Sequence, residues 1–109
     1  MPDRIVKTLG LKLVVSPAAR QSLARTIRLL ARTHSKSYLV RLKREVDVQV
    51  KQLPVHPLAG ALEPELEHLG AGHRRVIVGQ FKIIYRLTTN AVYVTDIFDS
   101  RRDPKRMKG

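Results

Sequence analysis

A chain of 109 residues, 43% hydrophobic and 28% charged, is long enough to close one core and too apolar to stay disordered. Its longest apolar run falls far short of the roughly 20 residues of a membrane helix, its first residues lack the apolar segment of a signal peptide, and with no cysteine it offers neither disulfides nor thiolate metal sites and fits a reducing cytoplasm. The formal charge of +12 opposes compaction and points to a negative partner, either nucleic acid or an acidic protein.

No composition break divides the chain, so residues 1–109 are read as a single domain with an N-terminal arm over 1–10. Leu11 to Val15 alternates and is β-branched, which predicts a first strand. Ser16-Pro17 then signals a helix start, because serine caps the first turn and proline has no N–H to leave unpaired at the first helical position. Ala19, Leu23, Ile27, Leu30 and Ala31 recur at helical spacing while Arg20, Arg25, Arg28 and Arg32 occupy the other side, so a helix is predicted over 17–32. An exposed arginine stripe of this kind also has a plain reading as a solvated face.

Ser35 or Ser37 supplies the next cap, and Leu39, Leu42, Val46, Val50 and Leu53 carry a second helix up to Pro54. Val46-Asp47-Val48-Gln49-Val50 alternates like a strand, but no turn residue interrupts 38–53, and the helical reading prevails. Two helices joined by so short a link form an antiparallel hairpin. Between 17 and 53 this hairpin holds nine Lys/Arg against Glu45 and Asp47.

Residues 54–73, rich in proline and glycine, read as an ordered surface loop with one helical turn at Glu65–Leu69. Glu63, Glu65 and Glu67 are placed to pair with nearby cations. Three β-rich runs follow at 74–78, 81–87 and 91–98, separated only by Gly79-Gln80 and Thr88-Thr89-Asn90, and such short links join antiparallel neighbours. In the middle run Phe81, Ile83, Tyr85 and Leu87 share the core face, while Lys82, Ile84 and Arg86 share the other with Arg75 and Ile77. The expected fold class is therefore α+β: an N-terminal strand, a helical hairpin and a three-stranded antiparallel meander. Leu23, Ile27, Leu42, Val46, Phe81, Ile83 and Tyr85 are its predicted core. The segment 103–109 reads as a basic tail whose default state is disorder.

The chemistry is narrow. There is no phosphate-cradling glycine loop, and His34, His56, His68 and His73 show no metal-ligand spacing, so neither a metal site nor a cofactor is expected. Cations on a sheet face could still stabilise the phosphorane formed when a ribose 2′-OH attacks its neighbouring phosphate.

Val15-Ser16-Pro17-Ala18-Ala19, Pro64-Glu65-Leu66, Arg74-Arg75, the run Val78 to Arg86 and Ile97 through Pro104 together resemble the RelE/ParE superfamily of toxins from bacterial type II toxin–antitoxin systems. The resemblance implies a toxin with a cognate antitoxin as partner, oligomeric only as that complex, with Arg25, Arg28 and Arg32 as antitoxin-binding candidates. It also implies one of two mechanisms. ParE-like members block DNA gyrase; RelE-like members cut messenger RNA on the ribosome. For the second, Lys82, Arg86 and Arg102 are the catalytic candidates, and Arg74, Arg75, Lys82, Arg86, Arg101 and Arg102 form the wider binding set under either. Many relatives carry a histidine just past the last strand where this chain has Asp99, and no tyrosine follows it. An aspartate there would repel a scissile phosphate, so binding of gyrase or another target is the preferred expectation, with the ribonuclease as alternative and a basic nucleic-acid-binding module as a third class.

Overall fold

The structure, a computed structural model, describes residues 10–109; the expected arm over 1–10 thus lies outside the described residues except for Gly10. Strand β1 (Lys12–Val15), helix α1 (Pro17–Leu30), helix α2 (Lys36–Gln52), the two-residue strand β2 (Ala61–Leu62), a 3-10 helix (Pro64–Leu69), strands β3 (Arg74–Val78), β4 (Phe81–Leu87) and β5 (Ala91–Asp99), and a short 3-10 turn (Pro104–Arg106) follow in order. The strands form one sheet in the order β1-β5-β4-β3-β2. The meander is antiparallel as expected, and β1 joins its far edge parallel to β5.

The caps explain where the helices begin. Ser16 Oγ accepts from the Ala19 N–H at 3.0 Å and donates to the Thr95 carbonyl at 3.1 Å, so one serine starts α1 and ties it to β5. Ser35 caps α2 by accepting from the Tyr38 N–H at 3.2 Å. The alternating stretch in α2 is helical: Val46 and Val50 are buried and Val48 is exposed, the burial expected of a 3.6-residue period. Helix α1 lies over β5 and α2 over β3, each burying its apolar stripe on the sheet.

Phe81, Ile83 and Tyr85 are fully buried beneath them, with Leu42 and Val46. Leu23 and Ile27, expected in full burial, are only half-buried at the margin of this cluster, because they border an open groove between the two helices. Tyr85 also anchors the loop: its hydroxyl donates to the Pro57 carbonyl and accepts from the Gly60 N–H, both at 2.9 Å. Position 60 must be glycine, since a Cβ there would sit 2.6 Å from the Arg75 carbonyl oxygen and 2.7 Å from the Tyr85 hydroxyl.

Strand β5 carries a bulge that the alternation rule alone does not foresee. Ile84 pairs with Asp96 but Tyr85 pairs with Val94, leaving Thr95 as the extra residue. Val94 and Ile97 are an odd number of residues apart and yet both join the core beneath the helices. Only a bulge between them allows that. It also turns Tyr93 to the side of Arg86, whose guanidinium lies 4.7 Å from the ring centroid.

Candidate functional site

The face of the sheet away from the helices was the expected seat of function, as an open half-basic surface. The structure corrects this. Leu66 from the 3-10 helix, Ile84 of β4, Phe98 of β5 and Met107 from the C-terminal segment form a second buried cluster on that face. The segment expected to be disordered by default is strapped there: the Lys108 N–H donates to Asp96 Oδ2 at 2.9 Å and Thr95 Oγ1 donates to the Lys108 carbonyl at 3.0 Å. Met107, among Lys105, Arg106 and Lys108, supplies the apolar anchor that holds it.

Beside this strap lies a charged cluster. Glu63 is buried, and its carboxylate lies 3.2 Å from Lys82 Nζ and 3.8 Å from Arg75 Nε while accepting from the Glu65 N–H at 3.0 Å. Of the three loop glutamates, Glu63 alone makes the anticipated pairing with the sheet. Strand β2 explains the choice, because pairing Ala61 and Leu62 with β3 delivers the next residue to the Arg75–Lys82 side. Removing Glu63 would leave two half-buried cations unpaired, which costs more than the pair itself contributes.

His73 closes the other side. It is 4% exposed, and neither ring nitrogen has a hydrogen-bond partner among the described residues. Burial and then the charge of Arg86 hold its pKa below the ordinary histidine value, so the ring is neutral at physiological pH. The strap reaches it, since a Cβ added to Gly109 would come within 3.1 Å of His73 Nε2.

The remaining cations of the expected binding set are dispersed. Arg74 turns to the other face and donates to the Gly60 carbonyl at 2.7 Å, while Arg75 also donates to the Leu62 carbonyl. Arg101 follows β5 and chelates Asp99, giving its backbone N–H and both guanidinium arms at 3.0 to 3.2 Å. Asp99 itself is buried; desolvation pushes its carboxyl up, but the hydrogen bonds and charge of Arg101 outweigh this and hold it below the ordinary value. It is therefore ionised wherever a phosphate would be. Arg102 is half-buried and carries no ion pair among the described residues. Of the catalytic candidates, Lys82 is neutralised by Glu63 and Arg86 is stacked on Tyr93.

On the helical side, the groove of about 570 Å³ between α1 and α2 is floored by Val15, Leu23, Ile27, Val46 and Val50. Arg20, Arg28, Lys43 and Asp47 stand on its rim. Of the antitoxin-binding candidates, Arg28 borders this groove, whereas Arg25 and Arg32 are exposed away from it. No helix among the described residues is long and apolar enough to cross a membrane, and no three of them gather as metal ligands.

The comparisons with known proteins bear on this geometry. The profile described as ParE toxin of type II toxin–antitoxin system, parDE, matches residues 13–104. A chain of the chromosomal ParDE toxin–antitoxin system from P. aeruginosa has a similar fold, with a TM-score of 0.66 over 84% of this chain and 97% of that chain at 15% identity. No curated protein sequence matches it. With both ends of the profile inside the sheet and helix framework just described, the chain belongs to the ParE toxin family of type II toxin–antitoxin systems.

Proposed function

We propose that this chain arrests bacterial growth by binding a protein target, DNA gyrase the first candidate, and not by cutting RNA. The observation that supports this reading is the occupied state of its cations: Lys82 is paired with buried Glu63, Arg101 with Asp99, and the sheet face between them is filled by the strap. A ribonuclease working by cation stabilisation needs preorganised positive charge open to the phosphate. Here a phosphate would have to displace internal carboxylates and meet Asp99.

Family membership implies a cognate antitoxin, and the groove between α1 and α2 is our proposed seat for part of it. An apolar floor with a basic rim suits an amphipathic helix whose apolar side chains recur every three or four residues and whose flanks are acidic. Arg28 lies on the rim, and Arg25 and Arg32 extend the positive field that steers such a partner in.

The test pairs two measurements on one toxin. Purified protein should inhibit gyrase supercoiling, while primer extension on messenger RNA from intoxicated cells should show no new ends. Codon-aligned ends that vanish in Lys82→Ala and Arg102→Ala would overturn the proposal, because loss of one transition-state cation typically costs about a hundredfold in rate. Harmless expression of verified folded protein would also overturn it.

A further inference from the structure

A second groove plays no part in the reading above. It lies between α2 and the β3–β4 turn, has a volume of about 760 Å³, and is lined by Tyr38, Arg41, Arg44, Val48 and Gly79, with Glu45 its one carboxylate. Where α1 passes into α2, His34 stacks on Tyr38 with ring centroids 4.8 Å apart and planes 24° from parallel. His34 is exposed, whereas Tyr38 packs partly against the core. The stack therefore has a buttressed side and an open side. Contacts of His34 Nδ1 with Thr33 Oγ1 at 2.9 Å and with the Leu30 carbonyl at 3.2 Å fix the outer ring.

Arg41 and Arg44 are exposed and make neither an ion pair nor a side-chain hydrogen bond among the described residues. Three residues apart on one helix, they are surface neighbours. The Ser100 N–H donates to the Gln80 carbonyl at 2.8 Å, which sets Arg101 beside the turn that closes the groove.

We propose that this groove docks single-stranded nucleic acid. A base extends the His34–Tyr38 stack, and the flanking phosphates follow Arg41 and Arg44, with Glu45 confining the backbone to their side. Flat rings next to arginines that hold no ion pair among the described residues, with a patch of apolar lining, are what splayed bases and a charged backbone require. A duplex hides its base faces and would leave the stack idle. An acidic peptide has use for the arginines but none for two parallel rings. The inference stands apart from the toxin reading, since neither the groove between α1 and α2 nor the sheet face takes part.

Fluorescence anisotropy with labelled oligo-U, a duplex RNA of the same length and an oligo-glutamate competitor tests it. Wild type should bind oligo-U more tightly than the duplex. His34→Ala, which removes the ring that the base covers, should weaken oligo-U by about tenfold or more, as loss of one stacked base does; Tyr38→Ala, which removes the support of that ring, should weaken it as well, while Tyr38→Phe should bind like wild type. Arg41→Ala with Arg44→Ala should reduce the log–log salt slope by about 1.4, the share of two phosphates on a single strand. The control Lys105→Ala with Arg106→Ala removes the same charge from the exposed C-terminal turn and should leave that slope in place. Equal losses in the control, duplex binding as tight as oligo-U, full competition by oligo-glutamate, or unchanged binding by folded Tyr38→Ala would each overturn the proposal. Should Tyr38→Ala fail to fold, Arg41→Glu with Arg44→Glu, both at exposed positions, must abolish binding; retained affinity there would overturn the proposal as well.

Discussion

His73 is the residue where burial and titration meet most directly. Its imidazole is enclosed without a hydrogen-bond partner among the described residues and faces the charge of Arg86, so the folded protein disfavours the protonated ring. The unfolded chain has no such objection and takes up a proton near pH 6.5. Above that pH both states hold the ring neutral and the stability is fully present. As pH falls below it only the unfolded state gains a proton, and stability is lost down to the depressed folded pKa. Wild type should therefore lose stability in denaturant melts as pH falls below about 6.5, a window above the range where Asp99 titrates, and His73→Leu should flatten that dependence. A wild-type curve already flat there would mean that His73 is accessible to a compensating proton acceptor. Composition alone could not have singled out His73, one histidine of four; its sequence signal was only its place next to Arg74 and Arg75.

At the scale of elements, the readable features were those in which local chemistry and packing agree. Ser16-Pro17 and Ser35 mark helix starts because each serine caps a turn whatever the tertiary context, and the alternation of β4 decides its faces because Phe81, Ile83 and Tyr85 all need cover. The bulge at Thr95 was legible in principle from the odd spacing of Val94 and Ile97. The strap was not, because a methionine among lysines and arginines resembles any polar tail until Leu66, Ile84 and Phe98 are seen to form its socket. The pairing of Lys82 with Glu63 depends on a two-residue strand too short to leave a pattern. These features let Met107 be compared with Ile83. Truncating Ile83 to alanine in the main core should cost roughly 2–5 kcal/mol. Met107→Ala should cost less, about 2 kcal/mol at the low end of that range, because the strap can shift into the space. It should also speed proteolysis after Arg101, Arg102, Lys105 and Arg106, as a strap released from Ile84 and Phe98 would. A Met107→Ala protein as stable and as protease-resistant as wild type would show that the hydrogen bonds to Asp96 and Thr95 hold the strap without its anchor.

The whole molecule carries its +12 charge unevenly. Nine exposed Lys/Arg on the helical hairpin, eight on its helices and Arg32 in the link, face only Glu45 and Asp47, and the hairpin's one ion pair among the described residues joins Lys51 to Asp47 at 3.0 Å on an exposed surface, where such pairs contribute little. Repulsion along the hairpin thus outweighs attraction within it, and the balance is set by screening. At about 0.01 M salt the Debye length of about 30 Å lets every cation on the hairpin feel every other; at about 0.15 M it is about 8 Å and only near neighbours interact. The melting temperature of the free chain should therefore rise across that range. A complex with an acidic partner should respond with the opposite sign, since the same screening weakens the attraction that holds it together. Differential scanning fluorimetry of the free chain, run beside affinity measurements on the complex, reads both slopes. A free chain that melts earlier in salt would place its stability in screened ion pairs such as Lys51–Asp47 and Arg101–Asp99, and the surplus charge of the helices would then have to be balanced within the fold instead of by a partner.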